Sequence, residues 1–178
     1  MTRVPAIAAT LITIAALSAS SSPASASTSQ APAGTSTARI ATFEGTTFDM
    51  TRGWGTATAC NITDTEATCY RTEAEMDKAI AAEPGAGSRA ANCSSSLRLY
   101  DGTGHTGQVI SITTRSTLIS LSGYGFNNKT SSYKVGACSA RLYNGIGSSQ
   151  YGGNTSAWAS VTSMASGWNN VISSVSLS

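Results

Sequence analysis

The six residues that begin at Leu97, Leu-Arg-Leu-Tyr-Asp-Gly, return 43 positions later as Ala-Arg-Leu-Tyr-Asn-Gly, beginning at Ala140. A second block, Phe126-Asn127-Asn128-Lys129-Thr130-Ser131-Ser132, returns 42 positions later as Trp168-Asn169-Asn170-Val171-Ile172-Ser173-Ser174. Two blocks in the same order at nearly equal offsets make the C-terminal half a tandem duplication of a unit of about 40 residues. A unit that short has no interior of its own, so the two copies must bury their apolar faces against each other.

Each copy reads as β structure. Ser131, Tyr133 and Val135 alternate with Ser132 and Lys134, and Val171, Ser173, Val175 and Leu177 alternate with Ile172, Ser174 and Ser176. This period of two predicts a half-buried strand at the end of each copy, with the first-named set facing inward. Residues 108–113 and 117–121 are β-branched and bounded by glycine or polar residues, which brings each copy to about four short strands, the number in a Greek key. The expected fold class is all-β: two Greek-key motifs packed as a sandwich. The repeats run over about 94–136 and 138–178 within a domain at 93–178.

Upstream, Arg3, an apolar run over residues 4–17 and Ala24-Ser25-Ala26 form the three-part pattern of a secretory leader, residues 1–26. The apolar run is shorter than the ~20 residues that cross a bilayer as a helix, so no membrane span is expected. Residues 27–37 are rich in Ser, Thr, Ala, Pro and Gly and read as a linker. Residues 38–92 read as a small N-terminal segment with eight carboxylates, whereas residues 93–178 carry one, Asp101. The charge changes near Pro84 and the Gly-rich stretch that follows it. Within the acidic segment, Thr72-Glu73-Ala74-Glu75 is a capping box that opens a short helix through about Ala82, with Met76 and Ile80 on one face.

Four cysteines, Cys60, Cys69, Cys93 and Cys138, in an exported chain predict two disulfides, for which three pairings are open. The spacing of Cys60 and Cys69 suits a hairpin closed by a bridge. Cys93 and Cys138 each precede the first strand of a repeat, so a bridge between them would tie the motifs together.

Tyr100, His105 and Gly107 follow the spacing Tyr-x-x-x-x-aromatic-x-Gly, and Tyr143, Tyr151 and Gly153 follow it with a longer insertion. Together with the two Asn-Asn-x-x-Ser-Ser blocks they resemble the Greek keys and calcium clamps of the βγ-crystallin superfamily. The resemblance covers about residues 94–178. It implies a βγ-crystallin-type sandwich holding Ca2+ at two sites. The set implied at the two sites is Asn127, Asn128, Lys129 and Ser131 with Asn169, Asn170, Val171 and Ser173. Each ion would take the main-chain carbonyl of Lys129 or Val171, the side-chain oxygen of Asn128 or Asn170, and the hydroxyl of Ser131 or Ser173 from the opposite repeat. Calcium accepts such neutral oxygens. With no carboxylate in either block and Lys129 beside one of them, affinity is expected on the order of 0.1 to 1 mM or weaker.

The segment from Cys93 to Tyr100 is also similar to the start of microbial metalloproteinase inhibitors on this scaffold, with Arg98 where those relatives place a cysteine. That resemblance implies an extracellular protease as partner, and a third role on the scaffold is a killer-toxin-like antimicrobial. Five dispersed bases in residues 93–178 do not make a nucleic-acid interface. One histidine, one acid in the β domain and no Gly-x-Ser-x-Gly motif after the leader argue against an enzyme. The expectation is a secreted, monomeric, non-catalytic protein.

Overall fold

The computed structural model describes residues 38–84, 96–115, 117–145 and 150–178. The expected leader and linker, Cys93 and the side chain of Tyr151 lie outside them. Four strands come first: β1 (Ile40–Phe43), β2 (Thr46–Asp49), β3 (Ala59–Ile62) and β4 (Ala67–Tyr70), followed by the helix α1 (Glu73–Ala82). The first repeat supplies β5 (Leu97–Tyr100), β6 (Val109–Ile112), β7 (Ile119–Ser120) and β8 (Ser132–Val135). The second supplies β9 (Ala140–Tyr143), β10 (Gln150–Thr155), β11 (Ser160–Val161) and β12 (Ser174–Leu177).

Each repeat keeps three strands in one sheet and sends its third strand to the other: β7 pairs with β12, and β11 pairs with β8. The result is two interlocked Greek keys, one sheet running β11-β8-β5-β6 and the other β10-β9-β12-β7. Leu97, Leu99, Ile110, Ile112, Tyr133 and Val135 from the first sheet meet Ile119, Leu142, Val175 and Leu177 from the second in one core. This is the two-Greek-key sandwich expected from the duplication.

The last strand of the second repeat is shorter than its alternation suggested. β12 begins at Ser174, and the preceding residues turn, so Ile172 is buried while Val171 and Ser173 are only half-buried. The third strand of the first repeat is likewise cut to Ile119 and Ser120, because a turn of 3-10 helix over Leu121–Tyr124 follows and Gly125 closes it at φ 65°.

The N-terminal segment extends the first sheet. β3 lies parallel to β6, with Ala59 opposite Val109 and Ile62 opposite Ile112, and β4, β1 and β2 follow outward to complete eight strands. Cys60 and Cys69 face each other across the β3–β4 hairpin and are joined by a disulfide. Cys138 is buried and disulfide-bonded. Because strands alternate their faces, Cys60 and Ile62 enter the sandwich core while Ala59 points outward to α1. Met76 and Ile80 of the helix pack there on Ala59, Tyr70, Tyr100 and Val109. The change of charge near residue 84 therefore does not mark a change of core: Ala41, Met50 and Trp54 belong to the same cluster as Phe126 and Leu142.

Candidate metal site

Both Asn-Asn blocks are turns, and the two turns are stitched together. Asn128 and Asn170 adopt left-handed backbone at φ 56° and 59°, which asparagine tolerates better than most side chains. The Asn128 amide donates to the Ile172 carbonyl and the Asn170 amide donates to the Thr130 carbonyl, each at 2.9 Å. The amides of Ser131 and Ser173 donate to the carbonyls of Tyr100 and Tyr143, each at 2.8 Å. These pairs are equivalent under exchange of the repeats, so the turns meet across a pseudo-dyad.

The side chains cross as well. Ser173 Oγ lies 3.0 Å from Asn128 Oδ1, and Ser131 Oγ lies 3.1 Å from Asn170 Oδ1. Ser173 Oγ also lies 3.3 Å from the carbonyl two residues before it, that of Val171. Asn127, Lys129 and Asn169 are exposed at the rim of the turns. Asn128, Ser173 and Val171 thus come together, as do Asn170 and Ser131.

The second serine of each block has a separate task that the sequence reading did not assign. Ser132 Oγ donates to the Gly102 carbonyl at 2.6 Å and Ser174 Oγ to the Gly145 carbonyl at 2.7 Å. Each ties the end of its repeat to the turn after the Tyr-Asp/Asn-Gly block. Exact recurrence of both serines in both copies was the available signal.

The two sites are unequal. Thr130, the counterpart of Ile172, is fully buried with its hydroxyl unpartnered among the described residues, and Lys129 stands where the second copy has Val171. Among the described residues no three of His, Cys, Asp and Glu come together. The donor set is therefore neutral oxygen. With Ca–O near 2.4 Å, two oxygens 3.0 to 3.1 Å apart subtend about 80°, the angle between neighbouring ligands of a six- to eight-coordinate ion. That spacing and neutral-oxygen chemistry are compatible with calcium, whose remaining ligands would be main-chain carbonyls and water.

Two other constellations are structural. His105, at φ 61°, places ring Nε2 3.3 Å from the Tyr133 carbonyl and tilts against the Tyr100 ring at 5.3 Å. Arg98 bonds Glu73 at 2.7 Å and Asp77, and Tyr100 donates to Glu73 at 2.6 Å, which fastens α1 to β5. Burial opposes the Arg98 charge, but the Asp77 and Glu73 carboxylates outweigh it and hold the guanidinium protonated. Burial, and then the bond to Glu73, push the Tyr100 phenol above its usual value.

No protein-family model matches the chain, and no curated protein does. Among solved structures, the chain is similar to a double mutant of a βγ-crystallin domain from Clostridium beijerinckii, at 17% identity over 46% of this chain and 94% of that one, with a TM-score of 0.38. It is similar to the N-terminal domain of Protein S at 20% identity over 47% and 94%, TM-score 0.38. It is also similar to the βγ-crystallin domain of Abundant Perithecial Protein from Neurospora crassa in its Ca2+-bound form, at 13% identity over 47% and 88%, TM-score 0.30. The fold described above stands on its own strand order and register.

Proposed function

We propose that this is an exported, non-catalytic protein whose paired Greek keys bind calcium at two crossed sites, one at Asn128 and Ser173 and the other at Asn170 and Ser131. The carrying observation is the crossing itself: each serine hydroxyl meets the amide oxygen of the opposite repeat's asparagine. An ion there would link the repeats, with the carbonyls of Lys129 and Val171 and the exposed Asn127 and Asn169 available at the rim. Calcium contributes electrostatic cross-linking, and the chain contributes the preset spacing of oxygens. Export agrees with the leader pattern and with the Cys60–Cys69 disulfide. The non-catalytic reading agrees with Asp101, whose carboxylate accepts the Gln108 amide at 2.6 Å and is spent on the turn.

Isothermal titration of the mature protein with calcium is expected to give a dissociation constant on the order of 0.1 to 1 mM and a rise in melting temperature. Ser131→Ala with Ser173→Ala should abolish both. Absence of heat and of any thermal shift in the parent protein would remove the reading.

A second reading, a secreted peptidase inhibitor, is favoured by Trp158. This residue is 69% exposed at φ 62°, while its amide donates to the Gly136 carbonyl at 2.8 Å. An exposed aromatic on a backbone held in an uncommon conformation suits insertion into a cleft with little ordering cost. Assays against thermolysin-like and subtilisin-like proteases, with Trp158→Ala as control, decide it; equal activity with and without the protein discards it.

A further inference from the structure

We propose that Trp54 is a positioning residue for one of the two calcium sites, so that the N-terminal segment preorganises the Asn128–Ser173 site more than the Asn170–Ser131 site. The inference rests on calcium binding at these sites and adds a source for their inequality.

Trp54 is 4% exposed and lies in the connection between β2 and β3. Its ring stacks on Phe126 at 5.5 Å with 24° between planes, and its Nε1 donates to the Tyr124 carbonyl at 2.9 Å. Phe126 is the residue directly before Asn127 and Asn128. The same short stretch is gripped at two more points. The Arg39 amide donates to the Gly123 carbonyl at 2.9 Å while its guanidinium lies over the Tyr124 ring, and the Met50 carbonyl abuts Gly125 so closely that a Cβ would collide with it. Residues 123–126 are thus held from outside the repeat, and the chain enters the first Asn-Asn turn in one fixed direction.

The second turn is built differently. Gly167 and Trp168 replace Gly125 and Phe126, and Gly167, also left-handed at φ 83°, faces open space where Gly125 faces Met50. Trp168 packs against the core, whereas residues 123–126 are gripped by residues 39–54, so pseudo-symmetry relates the ligand residues but not the source of their supports. A site whose ligands are already placed loses less freedom on binding than one that must order them.

The test uses the full-length mature chain and calcium alone. Ser131→Ala retains the Asn128–Ser173 site, and Ser173→Ala retains the Asn170–Ser131 site. Trp54→Phe, which keeps a ring on Phe126 but removes the bond to Tyr124, is placed in each, and calcium is titrated calorimetrically. The expected result is a roughly three- to tenfold weakening in the Ser131→Ala protein and a change under about twofold in the Ser173→Ala protein. Arg39→Ala, an exposed change, should give a smaller loss on the same side and serves if Trp54→Phe unfolds. A general loss of stability would weaken both proteins alike. Equal weakening in both, or none in either, overturns the positioning role while calcium binding stands. No calcium binding in either parent removes the site and this role together.

Discussion

Asparagine at positions 128 and 170 answers two demands at once, a left-handed backbone and an amide oxygen aimed at the opposite serine. Glycine meets only the first. Asn128→Gly is therefore expected to change stability by less than about 1 kcal/mol, because the turn remains unstrained and one exposed-rim hydrogen bond is lost. Calcium affinity at that site should nevertheless fall at least tenfold. A titration that leaves affinity intact would reduce the asparagine to a turn former. Gly125 gives the contrasting case, a residue whose freedom is used for packing. Gly125→Ala meets both positive φ and the Met50 carbonyl, and should cost roughly 2 to 4 kcal/mol. Gly55→Ala, at φ 60° but with open space around it, should cost only about 1 kcal/mol. Chemical denaturation of the two variants checks the difference, and equal costs would mean that Met50 yields.

At the level of elements, α1 is held by an apolar contact at Met76 and a polar one at Arg98, Glu73, Asp77 and Tyr100. Tyr100→Phe should cost about 1 to 2 kcal/mol at neutral pH through loss of the bond to a carboxylate. The folded phenol has the higher pKa, so its contribution is complete below the ordinary tyrosine value near pH 10 and is lost as pH rises beyond it. The gap in melting temperature between parent and variant should hold steady up to about pH 10 and narrow progressively as pH rises above it; a constant gap would place the loss elsewhere. The helix itself was legible, since Thr72 Oγ accepts the Glu75 amide as the capping box requires, although Glu75 reaches the Arg71 amide instead of that of Thr72. The two Asn-Asn-x-x-Ser-Ser blocks were legible because duplication wrote the same block twice, whereas their crossing was an expectation from the resemblance alone. The pairing of β3 with β6 was not: all four residues of each strand are buried, one side by the core and the other under the outer layer, and a strand covered on both faces leaves no alternation to read. Ser173 misled for a related reason, since Val171 and Ser173 share the strand's period while belonging to the turn before it.

For the whole molecule the consequence is that the duplicated half does not own its core. The two repeats contain eight strands and a pseudo-dyad, yet the outer edge of β6 is covered by β3, and Phe126 is covered by Trp54. Leaving a fully buried edge strand open to water exposes its backbone groups and invites pairing with another chain. Uncovering Val109, Tyr100 and Phe126 forfeits part of the roughly 1.5 to 3 kcal/mol that each buried side chain of this size contributes. Those losses are comparable with the 5 to 15 kcal/mol by which a domain of this size is stable. A fragment of residues 94–178 is therefore expected to melt broadly or aggregate, with poorly dispersed amide resonances, while residues 38–178 melt in one cooperative transition. Supplying residues 38–92 in trans should restore part of the dispersion. If the short fragment instead melts sharply within a few degrees of the longer one, β1 to β4 are an accessory layer and the shared core contributes little to the fold.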